Sequence, residues 1–189
     1  MSHILRFALF GVLLITAGLA QAREVAGVSL PETVSTEDGV SLQLNGAGTR
    51  TKFFVTVYVG ALYTASPVRE AEAAITAAGP KRVTLSFVHD RVSREKITAA
   101  WREGIEANVS AAEFAALGER LSRFNSGFED MRTGDTIQLD FPTTGGVHVT
   151  VKGQDKGTVE GEDFSQALLR VWLGEHPADR GLKAAMLGK

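Results

Sequence analysis

Residues 40–63, VSLQLNGAGTRTKFFVTVYVGALY, carry the strongest β-strand pattern in the chain. Apolar and polar residues alternate from Val40 to Leu44, which is typical of a strand with one buried face. Asn45 to Gly48 indicates a turn or bulge, because glycine tolerates a positive φ. The run from Phe53 to Tyr63 is rich in β-branched and aromatic residues and predicts a second strand. These residues predict a β-rich centre for the fold.

Strand and helix patterns alternate on the C-terminal side of this stretch. Period-two alternation predicts strands at Arg82–His89, Thr136–Phe141, Val147–Lys152 and near Thr158. Apolar residues at helical spacing, capping residues and prolines at first turns predict helices over about Pro67–Ala78, Ser93–Ala107, Ser110–Leu121, Phe164–Trp172 and from Pro177 onward. The sequence therefore predicts one α+β domain, with an antiparallel β-sheet packed against a layer of α-helices.

Residues 1–22 have the three parts of a secretory signal peptide. Arg6 supplies a positive leader, Phe7–Leu19 form an apolar run, and Ala20-Gln21-Ala22 is a small-x-small cleavage triplet. A membrane anchor is the alternative, but the run is shorter than the roughly 20 residues that a spanning helix needs. We expect cleavage near Ala22, a mature domain over residues 23–189 with no membrane span, and a periplasmic location.

Composition excludes several classes of function. The protein has 189 residues, 20 lysines and arginines, 22 aspartates and glutamates, and no cysteine. This charge balance is unlike that of a nucleic-acid-binding protein, which needs a strongly basic face. Without cysteine there is no thiolate nucleophile, disulfide or thiolate-bound metal. His89, His148 and His176 lack the spacing of metal ligands, so we predict neither a metal site nor a cofactor.

Two polar residues lie in unusual surroundings. Arg50 follows the glycine-rich stretch, and Tyr58 sits among valines in the most apolar strand. A guanidinium beside an apolar cavity suits a carboxylate, and a phenol can add a hydrogen bond. The alternatives are an Arg50 ion pair at the sheet rim and a Tyr58 hydroxyl that reaches water. Since eight residues of straight strand span about 26 Å, the two act together only if the chain folds back near Thr51-Lys52.

The order and spacing of several motifs resemble the chalcone isomerase-like family, and in particular an exported bacterial branch of it. The first set is Gly46-Ala47-Gly48-Thr49-Arg50, Lys52-Phe53-Phe54 and Val57 to Tyr63. The second set is Gly134-Asp135, Gly161 before Phe164, Trp172-Leu173-Gly174 and Pro177-Ala178-Asp179. The resemblance covers the whole predicted mature chain and implies an open-faced β-sandwich, with a ligand cleft between the sheet and the helices.

The same resemblance implies a choice between catalysis and binding. The family contains plant enzymes that close chalcones to flavanones, and relatives that bind fatty acids without catalysis. Arg50 matches the family's cleft arginine, and Tyr58 matches a position that is tyrosine in the fatty-acid binders and threonine in the enzymes. The enzymes' catalytic tyrosine and asparagine correspond here to Ser93 and Ala100, which cannot replace them.

These substitutions favour a binding protein without catalytic residues. The leading hypothesis is a non-catalytic periplasmic carrier of a fatty acid or similar amphipathic carboxylate, with Arg50, Tyr58 and Trp172 as ligand-binding residues. Trp172 also completes an apolar helical stripe, so core packing is its alternative role. Two other functions stay open: an intramolecular lyase of chalcone isomerase type, and an interaction module whose cleft is filled by its own side chains. The sequence does not indicate a protein partner.

Overall fold

The computed structural model describes residues 22–189. The predicted leader, residues 1–22, therefore lies almost entirely outside the described residues. Seven of the strands form one antiparallel sheet, and their bounds are β3 Thr33–Ser35, β4 Ser41–Lys52, β5 Val55–Thr64, β6 Lys81–Phe87, β9 Thr136–Phe141, β10 Val147–Val151 and β11 Gln154–Val159. Their order in the sheet is β11-β10-β9-β6-β5-β4-β3.

Two short antiparallel strand pairs form separate two-stranded sheets, and helices complete the fold. The pairs are β1 Ala22–Val25 with β2 Val28–Pro31, and β7 Arg91–Val92 with β8 Met131–Arg132. The helices of the described residues are α1 Ala71–Thr76, α2 Arg94–Glu106, α3 Ala111–Ala116, α4 Gly118–Ser126, α5 Glu162–Leu173 and α6 Arg180–Met186. The predicted class, an antiparallel sheet against a layer of helices, is confirmed.

Strand β5 separates two apolar cores because alternate side chains point to opposite faces of a sheet. Tyr58 and Leu62 belong to the large core, which the helices cover. Val59, Ala61 and Tyr63 belong to a smaller core on the other face, where Leu30 of β2 packs. The cleft described below opens on the helix side.

The turn between β4 and β5 differs from the prediction. Phe53 and Phe54 do not begin β5; they form a two-residue turn between the paired residues Lys52 and Val55. Both have positive φ, 49° and 66°. This places Arg50 on β4 directly opposite Tyr58 on β5. The chain therefore folds back as Arg50 and Tyr58 need in order to act together, and the turn lies just beyond Lys52.

The glycine-rich stretch is part of β4 rather than a turn. The register shifts between Leu44 and Gly46, so a bulge is present as predicted. A Cβ atom on Gly46 would lie 2.0 Å from the carbonyl oxygen of Ala185, and one on Gly48 would lie 2.6 Å from the Ala185 Cβ atom. These glycines are needed because α6 approaches the strand closely. The N-cap residue of α6, Asp179, accordingly contacts the backbone N–H of Thr51, the residue after Arg50.

Local capping signals located two helices well. Ser93 caps α2, and Ser110 with Glu113 forms the predicted capping box of α3. The helix predicted over Ser110–Leu121 is divided at Leu117, and its second part continues as α4 to Ser126. The helices expected from Pro67 and Pro177 begin later, at Ala71 and Arg180.

Candidate functional site

A cleft of about 480 Å³ lies between the turn end of the central strands and helix α2. This volume is within the range of small-molecule sites. Its apolar wall contains Val55, Val57, Tyr58, Leu85, Phe87, Val92, Ile97, Ala99, Ala100, Trp101, Val171 and Ala178. The charged and basic residues that line it are Arg50, Lys52, His89, Arg91, Lys96 and Glu103. The cleft is therefore an apolar space with a mainly basic edge.

Arg50 is half-buried in this wall. Its guanidinium makes no hydrogen bond or ion pair with any residue in the described part of the chain, so the sheet-rim ion pair considered above does not form there. Several other arginines are paired with carboxylates, as Arg120 is with Asp163 and Arg170 with Glu72. The Arg50 guanidinium carbon lies 5.8 Å from the centroid of the Tyr58 ring, within reach of a cation–π contact. Its charge is thus available to an incoming anion.

Asp179, which acts on Tyr58 electrostatically, is occupied by other contacts. One of its oxygens accepts a hydrogen bond of 3.0 Å from the backbone N–H of Leu182 and caps α6. The other accepts a hydrogen bond of 3.0 Å from the backbone N–H of Thr51. The carboxylate therefore joins α6 to β4, and it makes no direct ion pair with Arg50.

Tyr58 is buried, so its hydroxyl does not reach bulk water. The hydroxyl oxygen accepts a hydrogen bond of 3.0 Å from the indole N–H of Trp172. Burial raises the pKa of Tyr58 to about 12, although the Arg50 charge and the Trp172 hydrogen bond act in the opposite direction. The phenol is consequently protonated at neutral pH and can donate a hydrogen bond.

Trp172 does not line the cleft. It lies behind Tyr58, is 1% exposed, and packs its ring 5.5 Å from that of Trp101. Its apolar contacts agree with the core-packing role considered above. Trp172 is therefore placed to hold the Tyr58 hydroxyl in position, and the prediction that it touches ligand receives no support from this arrangement.

The positions that correspond to the enzymes' polar residues carry no equivalent groups here. The Ser93 hydroxyl accepts a hydrogen bond from the backbone N–H of Lys96 as the cap of α2. Ala100 lines the cleft, and its side chain is a methyl group. The described wall can bind an acid and an apolar chain, but it does not reproduce the tyrosine and asparagine that the family resemblance associates with catalysis.

Several basic residues of the cleft edge were not among the predicted ligand-binding residues. Lys52, Arg91 and Lys96 come from the β4 end, β7 and α2 and meet only in the folded chain. Arg91 donates to Asp130, so part of its charge is already neutralised. Of these three residues, only Lys52 had a signal in the sequence, because it belongs to the family motif that ends in Phe53-Phe54.

Both tyrosines of the chain are expected to have a pKa well above the ordinary tyrosine value of about 10. Burial raises the pKa of Tyr58 and of Tyr63 to about 12 each. Between about pH 10 and 12 the unfolded chain has lost these protons and the folded chain keeps them, so the free energy of unfolding falls as pH rises. Absorbance of tyrosinate should stay low until near pH 12. Titration near pH 10 in protein shown to be folded would contradict this prediction.

The described residues contain no group of three or more side chains arranged to hold a metal ion. In the same part of the chain, no helix combines the length and the apolar character needed to cross a bilayer. These findings concern residues 22–189 only.

Comparison with known proteins identifies the family. The family model described as chalcone isomerase-like matches residues 22–188. Among solved structures, a fatty-acid binding protein of Arabidopsis thaliana matches with a TM-score of 0.70 and 17% sequence identity, covering 85% of this chain and 92% of that one. No curated protein matches the sequence significantly. The structural match shows that the two proteins share a fold, and the family match shows that this chain belongs to the chalcone isomerase-like family.

Proposed function

We propose that the protein is a non-catalytic carrier of a fatty acid or a similar amphipathic carboxylate, bound in the cleft between the sheet and α2. The observation that carries this proposal is Arg50, a half-buried cation without a protein partner among the described residues, at an apolar wall. A partly desolvated guanidinium without a partner gains free energy when a carboxylate binds it. A carboxylate bearing a hydrocarbon tail satisfies both the charge and the wall.

The hydrocarbon tail of the ligand supplies most of the free energy of binding in the proposed complex. Each buried methylene group contributes about 0.8 kcal/mol before the costs of binding are subtracted. Two more methylenes inside the cleft should therefore strengthen binding about 15-fold, until the chain extends past the wall. The head group is held by the Arg50 guanidinium and the protonated Tyr58 hydroxyl, which fix its orientation.

Two further observations support a carrier. The Arabidopsis protein with the same fold is named as a fatty-acid binding protein. The cleft beside Arg50 is open, whereas an interaction module of the kind considered above would have its cleft filled by its own side chains.

For the location we propose the periplasm, and the pattern of residues 1–22 supports this choice.

The test is a titration of delipidated protein with saturated fatty acids of increasing length, and with the methyl ester of each acid. We expect affinity to rise with chain length and then level off, and the uncharged ester to bind much more weakly than the acid. Absence of measurable affinity for any acid would overturn the proposal. Equal affinity for acid and ester would overturn the role of Arg50. Turnover of a chalcone above the spontaneous rate would instead support the intramolecular lyase.

A further inference from the structure

The tip of the β4–β5 hairpin exposes two phenylalanines side by side. Phe53 is 84% exposed and Phe54 is 103% exposed, and the neighbouring Val55 is 44% exposed. Phe53 and Val55 also line the cleft. Large adjacent apolar side chains are seldom exposed to solvent together, and exposed apolar patches of this kind mark interaction sites. The tip is therefore continuous with the proposed ligand site.

The turn itself is unfavourable for these residues. Hairpin turns with positive φ at both central positions favour asparagine, aspartate and glycine. The two other turns of this kind within residues 22–189, Ala26-Gly27 and Lys152-Gly153, meet that preference in part, because each has glycine second. At Phe53-Phe54 both residues are aromatic and both have positive φ. Strained backbone of this kind is concentrated at functional sites.

Charge near the tip is mainly positive. The Lys52 ammonium lies 5.9 Å from the centroid of the Phe53 ring. Arg50 and Lys96 add positive charge along the same cleft, where Glu103 is the acidic lining residue. The chain as a whole has a net charge of −2. A basic edge beside exposed aromatic rings complements the surface of an anionic bilayer.

We propose that Phe53 and Phe54 insert into the interface of an anionic lipid bilayer and bring the mouth of the cleft against the membrane. This inference rests on the proposed carrier function and extends it, because the ligand then passes between bilayer and cleft without crossing bulk water. The aromatic rings provide the apolar contact. Lys52 provides attraction to the acidic head groups.

The experiment uses the double variant Phe53→Asn with Phe54→Gly, which gives the turn its preferred residues. Protein in the form that its host accumulates is mixed with vesicles of phosphatidylcholine and phosphatidylglycerol, and bound protein is measured by sedimentation. We expect wild type to bind, added salt to weaken binding, and the double variant to lose at least about 10-fold in vesicle affinity. Its melting temperature should be unchanged or higher. Val40→Asn, at another exposed apolar residue, serves as the matched control and should bind like wild type.

Separate readouts distinguish this inference from the proposed function. The single variant Phe54→Gly, at a residue that does not line the cleft, should keep the wild-type affinity for a soluble short-chain fatty acid, while the rate at which the double variant takes palmitate from vesicles falls at least about 10-fold. Wild-type protein that binds fatty acid but ignores anionic vesicles would overturn the inference and leave the carrier function intact. Equal vesicle binding by wild type and the double variant would also overturn it. Loss of vesicle binding in the double variant with no fatty-acid affinity in any form would overturn the carrier function and leave the docking surface.

Discussion

Replacing Arg50 with methionine is expected to weaken palmitate binding about 30- to 150-fold. Loss of a charge-assisted hydrogen bond in a partly buried site costs about 2–3 kcal/mol, and each 1.4 kcal/mol is a factor of ten in affinity. Methionine keeps an unbranched apolar side chain against the Tyr58 ring, so the cleft should keep its shape. The dissociation constant from calorimetry is the measurement, with circular dichroism to establish folding.

The matched control is Arg123→Met, since Arg123 is an exposed arginine on α4 and does not line the cleft. This control should bind palmitate like wild type. Arg50→Lys should bind at an intermediate level, because lysine keeps the charge but not the forked geometry. If Arg50→Met binds as tightly as the control, then the head group lies elsewhere.

Filling the cleft is expected to abolish binding without unfolding the protein. Ala100 lies on α2, is half-buried and lines the cleft. An indole introduced at this position by Ala100→Trp would occupy space that the tail needs, so we expect affinity to fall at least about 100-fold. Because the new side chain enters an existing cavity, the free energy of unfolding should change by less than about 1 kcal/mol.

Ala112→Trp is the control for this variant, since Ala112 is exposed on α3 and outside the cleft. It should bind like wild type. Both variants are measured by palmitate calorimetry and by urea unfolding. Undiminished binding in folded Ala100→Trp would show that the tail occupies another part of the molecule.

Local signals in the sequence determine much of this fold. The capping box at Ser110 and the apolar stripe of α5 involve residues within a few positions of one another, so they can be identified without knowing the tertiary structure. The alternation in Thr136–Phe141 gave the observed bounds of β9 for the same reason. Fold class follows once these elements are placed in order.

The turn at Phe53-Phe54 could not be located in this way. Aromatic residues favour strands and disfavour positive φ, so propensity alone extends β5 through them. Only the pairing of Arg50 with Tyr58 across the hairpin fixes the turn. A local preference was overridden there by the register of the sheet.

The arrangement of side chains in the candidate site depends on contacts between residues that are far apart in the sequence. Arg50 is unpaired among the described residues partly because Asp179 is engaged by Thr51 and Leu182. Trp172 contacts Tyr58 across 114 positions of the chain. The family resemblance indicated these positions, but whether each side chain faces the cleft depended on packing that no single segment contains.

Nuclear magnetic resonance of palmitate labelled with carbon-13 at the carboxyl carbon tests the central claim most directly. If the Arg50 guanidinium holds the head group, the bound carboxyl should show a pKa below the usual range of about 4 to 4.5 in wild type, and this shift should be lost in Arg50→Met. A bound carboxyl that titrates identically in the two proteins, or no bound resonance at all, would contradict the claim.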